Sequence, residues 1–159
     1  MQLRLIAAGT KLPSWVNEGY NDYAKRFASD YKLELVEVPL GQRSGGGDVA
    51  RAKEKEGERM LAAINSAPNN PYVVALQVGG KNLSTEQLAQ FLEQRAREGR
   101  SIAFCIGGPE GLADVIDARA DMRWSLSALT LPHALARVMV AEALYRAVMV
   151  IKGHPYHRA

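Results

Sequence analysis

The chain has 159 residues, of which 47% are hydrophobic and 23% charged, and its formal net charge is +3. This composition excludes a disordered or fibrous protein, and the length predicts a single domain over residues 1–159 with a buried core. The small positive charge is compatible with a nucleic-acid partner but does not require one.

Strand and helix patterns alternate along the chain, with period-2 alternation or short apolar runs in the predicted strands and spacings of three and four in the helices. The predicted elements are, in chain order, strand Gln2–Ala8, a helix over about residues 14–29, strand Lys32–Val38, helix Val49–Asn65, an apolar strand over 71–78, a helix from Ser84 through about Arg97, a buried strand over 101–106, a short helix over about 112–120, a strand over 122–126 and a long final helix with Pro132 in its first turn.

Two further segments do not fit these patterns. Residues 40–47 are rich in glycine and contain Arg43, and residues 79–82 (Gly-Gly-Lys-Asn) have the composition of a turn. Five strands alternating with helices predict an α/β sandwich with a mostly parallel sheet, in which ligands bind at the carboxyl ends of the strands.

The cysteine content and the placement of charges indicate the cellular compartment in which the protein works. A single cysteine, Cys105, excludes an internal disulfide and a multi-cysteine zinc site, and its apolar neighbours predict a buried thiol. The apolar stretch 134–151 has three internal charges, Arg137, Glu142 and Arg146, which are costly within a lipid bilayer. With no secretory signal recognisable at the start, we expect a cytoplasmic protein without a membrane segment.

The final helix is otherwise apolar nearly all round. A surface helix needs one apolar stripe only, so this helix is expected to be covered on more than one side. The sheet supplies one cover, and a second subunit would supply the other. The pattern therefore favours a homodimer.

Two loops carry small or hydroxyl residues, and each is expected to follow one of two neighbouring strands. The first, Ile-Gly-Gly-Pro-Glu-Gly (106–111), exposes backbone amides to a ligand or is merely a tight turn. It is neither a dinucleotide fingerprint nor a P-loop, which argues against a nucleotide-dependent enzyme. The second, Ser-Leu-Ser-Ala-Leu-Thr-Leu-Pro-His (125–133), could surround a flat adenine or simply connect two elements.

The tail, His-Pro-Tyr-His-Arg (154–158), is unusually rich in aromatic and basic residues for a chain end. A solvated tail is the plain alternative. Zinc binding by His154 and His157 is a weak interpretation, since no thiolate or further histidine pair completes a site, and we expect no metal. Stacking on bases and pairing with phosphates suits these side chains better.

Together these motifs closely resemble the RlmH-type methyltransferases of the SPOUT superfamily, over the whole length of the chain and with no departure within the motifs. The resemblance implies an S-adenosylmethionine-dependent enzyme with a C-terminal trefoil knot, working as a homodimer. The implied substrate is a pseudouridine in a 23S rRNA stem-loop, methylated at N3 in the assembled ribosome. It implies a cofactor site made of these residues: Leu76, Gly108, Ser127, Ala128, Leu129, Thr130, Leu131 and Pro132.

Methylation of an imide nitrogen requires loss of its proton, so a general base or a group that stabilises the developing charge is expected. The candidates are His133, Glu142, Tyr156, His157 and Arg158, of which the three tail residues are expected mainly to position RNA. Each has a plainer alternative: Glu142 can pair with Arg146 on the helix, and His133 can satisfy the helix start.

Three other functions stay open from the sequence. The chain could be an RNA-binding ribosome factor that has lost catalysis, although the intact cofactor loops argue against it. It could be a SPOUT enzyme for tRNA or for a ribose hydroxyl, although the small size leaves no room for an added RNA-binding domain. A nucleotide-dependent α/β enzyme is opposed by the missing phosphate motifs.

Overall fold

The computed structural model describes residues 1–41 and 48–157, the last of these without its side chain. Its elements are, in chain order, β1 (Gln2–Ala8), α1 (Ser14–Ala24), β2 (Lys32–Val38), α2 (Val49–Asn65), β3 (Tyr72–Asn82), α3 (Thr85–Arg97), β4 (Ile102–Ile106), α4 (Asp114–Arg119), β5 (Met122–Ser125), α5 (His133–Lys152) and a 3₁₀ turn (Pro155–His157).

All strand pairings are parallel, and the sheet order is β2-β1-β4-β3-β5. Helices cover both faces: α1, α3 and α5 pack on one, and α2 and α4 on the other. The five residues of β4 are fully buried, as expected for a strand covered on both faces. The predicted α/β sandwich with a parallel sheet is confirmed.

The thiol of Cys105 lies in this central strand with no solvent exposure. Burial raises its pKa to about 12, because the apolar surroundings disfavour the thiolate. The predicted buried thiol is confirmed, and at neutral pH it is protonated.

Two element boundaries differ from the prediction. Helix α1 ends at Ala24, five residues early, and residues 25–27 continue in tight turns that keep Phe27 against Tyr145 at a ring-centroid distance of 5.9 Å. Strand β3 extends through residues 79–82, which were predicted to form a turn. Its pairing with β5 is interrupted between Leu76 and Lys81, so the segment between them forms a bulge within the strand.

A glycine is required inside this bulge. A Cβ added at Gly80 would lie 2.7–2.8 Å from backbone atoms of Arg123 and Trp124, whereas one added at Gly79 would meet nothing within 4 Å. The backbones of β3 and β5 therefore approach too closely at Gly80 for any side chain. The glycine at position 80, which had suggested a turn, is therefore explained by the close approach of two strands.

Helix α5 is largely covered within its own chain. It packs against α1, α3 and β4. Most of its apolar surface therefore needs no second subunit, although Met139 of α5 stays 36% exposed.

Candidate functional site

The candidate site lies at the carboxyl ends of β3, β4 and β5. The two loops singled out in the sequence leave β4 and β5, and β3 lies between these strands. The two loops were expected to follow neighbouring strands, but they do not. The bulge of β3 lies between them. Three chain segments meet at this edge of the sheet, where ligands bind in open parallel sheets.

The three segments enclose a cavity of about 490 Å³, a size suited to a small-molecule ligand. Of the predicted cofactor residues, all but one line it: Leu76, Gly108, Ser127, Leu129, Thr130, Leu131 and Pro132. Ala128 is exposed and does not line the cavity. His133, a predicted catalytic residue, completes the wall at the start of α5.

Nine further lining residues were not among the predicted cofactor residues, although five of them belong to the two loops identified in the sequence. They are Gln77, Val78, Ile106, Gly107, Pro109, Gly111, Trp124, Leu126 and Ala136. Gln77 and Val78 belong to the bulge of β3, which was not predicted, and Ala136 lies one turn beyond His133 on α5. Gly107 and Gly111 lie in the loop that was identified, so there the motif pointed to the right segment but not to each residue.

The glycines of the β4 loop permit a very tight backbone. Gly111 donates its N–H to the carbonyl of Gly108 at 3.0 Å and has a φ of +84°, a conformation that favours glycine. A Cβ added at Gly107 would lie 2.5 Å from the carbonyl oxygen of Gly111 and 2.6 Å from the N of Leu112. The loop therefore folds back on itself at Gly107 and presents main chain to the cavity.

Gly108 lines the cavity on one side and faces a closed wall on the other. A Cβ added there would lie 3.0 Å from Leu40, 3.3 Å from an oxygen of Glu56 and 3.7 Å from Ala8. Glu56 is buried, at 3% exposure, and accepts the N–H of Gly41 at 2.8 Å. Its place beside the cavity was missed, because nothing in the helical pattern of α2 distinguishes it.

His133 has a lowered pKa. Partial burial is the main cause, the positive charge of Arg137 adds to it, and Glu56 opposes it. The imidazole is therefore neutral at pH 7 and can accept a proton or a hydrogen bond.

Pro132 precedes the first helical residue rather than lying in the first turn of the helix, and its side chain provides no cap hydrogen bond.

Arg137 holds together the region next to the cavity. It is 1% exposed, and it donates to Glu37 of β2 at 2.6 Å and to the carbonyl of Gly9 at 3.1 Å. Its Nε has no partner among the described residues. The sequence showed Arg137 as a charged residue in an otherwise apolar helix. Its partner Glu37 is 100 positions away and could not be inferred from the sequence.

Glu142, by contrast, does not line the cavity. It pairs with Arg146 at 2.7 Å, as their spacing of four on the helix anticipated. It lines a second cavity of about 330 Å³, which shares Trp124 and Leu126 with the first.

The tail folds back onto α5. The rings of Tyr156 and Tyr145 lie 4.7 Å apart, and the guanidinium of Arg146 lies 4.8 Å from the Tyr156 ring. The hydroxyl of Tyr156 also donates to Glu142 at 3.4 Å. Tyr156 is therefore placed away from the first cavity within this chain. Arg158, Arg43 of the glycine-rich segment and the side chain of His157 lie outside the described residues.

Within residues 1–41 and 48–157, no group of three or more histidine, cysteine or acidic side chains could hold a metal ion. No helix within the same ranges is long and apolar enough to cross a membrane.

A parallel α/β sheet with a ligand cavity between its β3, β4 and β5 loops is the arrangement of a known enzyme family. The chain matches the family model described as a predicted SPOUT methyltransferase over residues 1–157, and it belongs to that family.

One curated relative covers the chain from end to end. The ribosomal RNA large subunit methyltransferase H of Pseudomonas fluorescens is 53% identical over 158 residues, which are 99% of this chain and 100% of the relative. The resemblance to RlmH-type methyltransferases inferred from the motifs is thereby confirmed.

Solved structures agree on the fold. A methylase-family protein from Haemophilus influenzae superposes with a TM-score of 0.59 at 12% identity, covering 99% of this chain and 70% of its own. A methylase-family protein from Neisseria gonorrhoeae has a TM-score of 0.54 at 15% identity, covering 90% and 81% respectively. At these identities the likeness concerns the fold alone.

Proposed function

We propose that this chain transfers a methyl group from S-adenosylmethionine to N3 of a pseudouridine in 23S rRNA, acting as a homodimer on assembled ribosomes in the cytoplasm. The observation that carries the proposal is the 53% identity, over the full length of both chains, with a ribosomal RNA large subunit methyltransferase. The cavity at the carboxyl ends of β3, β4 and β5 supports it independently.

The cavity residues fit the cofactor. Main-chain groups of residues 126–132 and the apolar side chains Leu76 and Leu131 would hold the adenine, and the loop at Gly107 and Gly108 would approach the rest through its backbone. When bound, S-adenosylmethionine would supply a methyl group on a sulfonium, with the neutral thioether as the leaving group in an in-line displacement. The protein then contributes by positioning the acceptor and excluding water.

His133 is the proposed proton acceptor among the described residues. It is the predicted catalytic side chain that lines the cavity, and its lowered pKa keeps it neutral near pH 7. Accepting the imide proton makes the ring nitrogen nucleophilic. Glu142 and Tyr156, which lie apart from this cavity in one chain, are proposed to position RNA.

Replacement of His133 by glutamine is expected to lower kcat about 100-fold or more and to leave the cofactor Kd within about threefold. Because the pKa of His133 is lowered from its usual value of 6.5, the midpoint of the acidic fall in activity of the unmodified protein should lie below pH 6.5. Single-turnover rates from pH 5 to 8 test this. A wild-type midpoint above pH 6.5 would contradict the assignment.

Deletion of residues 156–159 is expected to abolish methylation of ribosomes while leaving the cofactor Kd unchanged. The tail packs on Tyr145 and Arg146 rather than on the cofactor loops, so its loss should not disturb the cavity. The control is Tyr156→Phe, which keeps the ring stacking and loses the hydroxyl contacts with Glu142 and Tyr23. Full activity of the truncated protein would show that the tail does not contact the substrate.

The homodimer is supported by the apolar side chains that remain exposed around the site. Val78 and Leu129, on the rim of the first cavity, are 51% and 72% exposed, and Met139 beside the second is 36% exposed. A partner subunit covering this face would bury them. Light scattering of the purified protein, with Leu129→Asp as the matched variant, tests this part of the proposal. The threading of α5 through a knot stays a prediction.

Cofactor titration separates the proposal from a ribosome factor without catalysis. Micromolar binding of S-adenosylmethionine supports the enzyme, and absence of binding supports the factor. A panel of ribosomes, isolated subunits and tRNA as methyl acceptors then separates this substrate from those of other SPOUT enzymes.

A further inference from the structure

We infer that Asp117 is a positioning residue for the cofactor cavity, because it holds the bulge of β3 in place through the side chain of Gln77. The inference rests on the proposed function, since the ligand concerned is S-adenosylmethionine. Asp117 itself is not among the residues that line the cavity, so it would act only through the segment that does.

The bulge of β3 lines the cavity without the support of a regular strand pairing. The pairing with β5 is interrupted between Leu76 and Lys81, so residues 77–80 lie outside the ladder. Leu76, Gln77 and Val78 nevertheless form part of the cavity wall. The shape of this wall therefore depends on contacts other than those of the sheet.

Gln77 ties the bulge to α4 and β5. Its Nε2 donates to Oδ1 of Asp117 at 2.6 Å, and Nε of Arg123 donates to the same oxygen at 2.7 Å. A terminal nitrogen of Arg123 also donates to the backbone carbonyl of Asp117 at 3.0 Å. One carboxylate oxygen thus joins the bulge, the short helix and the edge strand of the sheet.

The charge of Asp117 sets the direction of the Gln77 amide. The hydrogen bond from Arg123 and, next to it, that from Gln77 hold the pKa of Asp117 below its usual value of 3.8, so the carboxylate is ionised at neutral pH. An ionised carboxylate accepts and cannot donate, so the amide must turn its nitrogen toward Asp117. The bond therefore fixes the orientation of Gln77 as well as the position of the bulge.

Solvent limits the size of the effect. The side chains of Arg123 and Asp117 are 47% and 42% exposed, so their ion pair alone contributes little. The bond from Gln77 is partly buried, and a hydrogen bond of this kind is expected to change an equilibrium about fivefold. We expect that factor in cofactor affinity, because a bulge without its anchor must be ordered when the ligand binds.

The experiment is calorimetric titration of S-adenosylmethionine into wild type, Asp117→Ala, Gln77→Ala and the double variant. Each single change should weaken binding about fivefold, and the double variant should be no weaker than Gln77→Ala, because both changes remove the same bond. Independent effects would instead multiply to about 25-fold. Asp114→Ala is the matched control, since Asp114 is an exposed acid in the same first turn of α4, and it should leave binding unchanged.

Two further readouts separate positioning from a general loss of stability. Amide hydrogen exchange of residues 77–80 should be faster in Asp117→Ala and in Gln77→Ala than in wild type or Asp114→Ala. Single-turnover rates at saturating cofactor should stay within about twofold of wild type, because His133 is untouched. Thermal melting identifies the variants that are folded at the titration temperature, and Gln77→Ala carries the exchange test if Asp117→Ala is not among them.

Unchanged affinity in folded Asp117→Ala, losses that multiply in the double variant, or unchanged exchange of the bulge would overturn the inference and leave the proposed function standing. A wild type that binds no S-adenosylmethionine would overturn the proposed function as well.

Discussion

Replacing Gly107 with alanine is expected to weaken cofactor binding strongly and to suppress methyl transfer. The added methyl would lie 2.5 Å from the carbonyl oxygen of Gly111 and 2.6 Å from the N of Leu112, and backbone atoms cannot move aside as a flexible side chain can. The loop must then open, and the hydrogen bond from Gly111 to Gly108 is lost. We expect a cofactor affinity lower by about 100-fold and stability lower by about 1–3 kcal/mol.

The matched control for this variant is Gly108→Ala. There the nearest neighbours are a side-chain methyl of Leu40 at 3.0 Å and an oxygen of Glu56 at 3.3 Å, both of which can yield by a few tenths of an ångström. Calorimetric titration and thermal melting of both variants measure the contrast. Wild-type affinity in folded Gly107→Ala would show that this loop does not form the cofactor site.

Replacing Glu37 with glutamine is expected to destabilise the fold by about 2–3 kcal/mol, because it leaves the buried guanidinium of Arg137 without its carboxylate. The loss is smaller than for a fully buried pair, since the side chain of Glu37 is 32% exposed. The carbonyl of Gly9 would remain as a partner of Arg137. A melting temperature lower by about 5 °C should accompany the change.

A double variant tests whether the buried charge is the cause. Glu37→Gln combined with Arg137→Met removes the cation as well as its partner, so it should recover much of the lost stability. Lys25→Gln, which breaks an exposed ion pair with Asp22, should change stability by less than about 0.5 kcal/mol. A Glu37→Gln variant as stable as wild type would show that Arg137 needs no anion.

Elements with a clear local pattern were predicted with their correct bounds. The bounds of β1, β2 and α2 agree with the sequence, and the helix predicted from Ser84 begins there with a capping box formed by Ser84 and Gln87. The bulge of β3 was missed, because Gly80 is required by the backbone of β5 and not by a turn of its own segment. Local composition cannot show which strand lies alongside.

The order of the strands in the sheet could not be predicted for a similar reason. Alternating strands and helices predict a parallel sheet, but not that β4 lies between β1 and β3. For that reason the two loops were expected on neighbouring strands, and the contribution of β3 through Gln77 and Val78 was not foreseen.

The candidate site was predicted unevenly. Seven of the eight cofactor residues implied by the resemblance line one cavity, and His133 lines it with them. The pairing of Arg137 with Glu37 and the position of Glu56 depend on contacts between distant parts of the chain, so no local pattern announced them. Glu142 and Tyr156 do not line this cavity, and their role stays a prediction.

The most direct measurement is transfer of labelled methyl from S-adenosylmethionine to ribosomes that lack the modification, with isolated subunits and tRNA assayed alongside. The proposal predicts label on assembled ribosomes, in 23S rRNA, mapped to N3 of a pseudouridine. No label on any RNA, from a protein that binds the cofactor, would contradict the proposed substrate and leave the family and the fold in place.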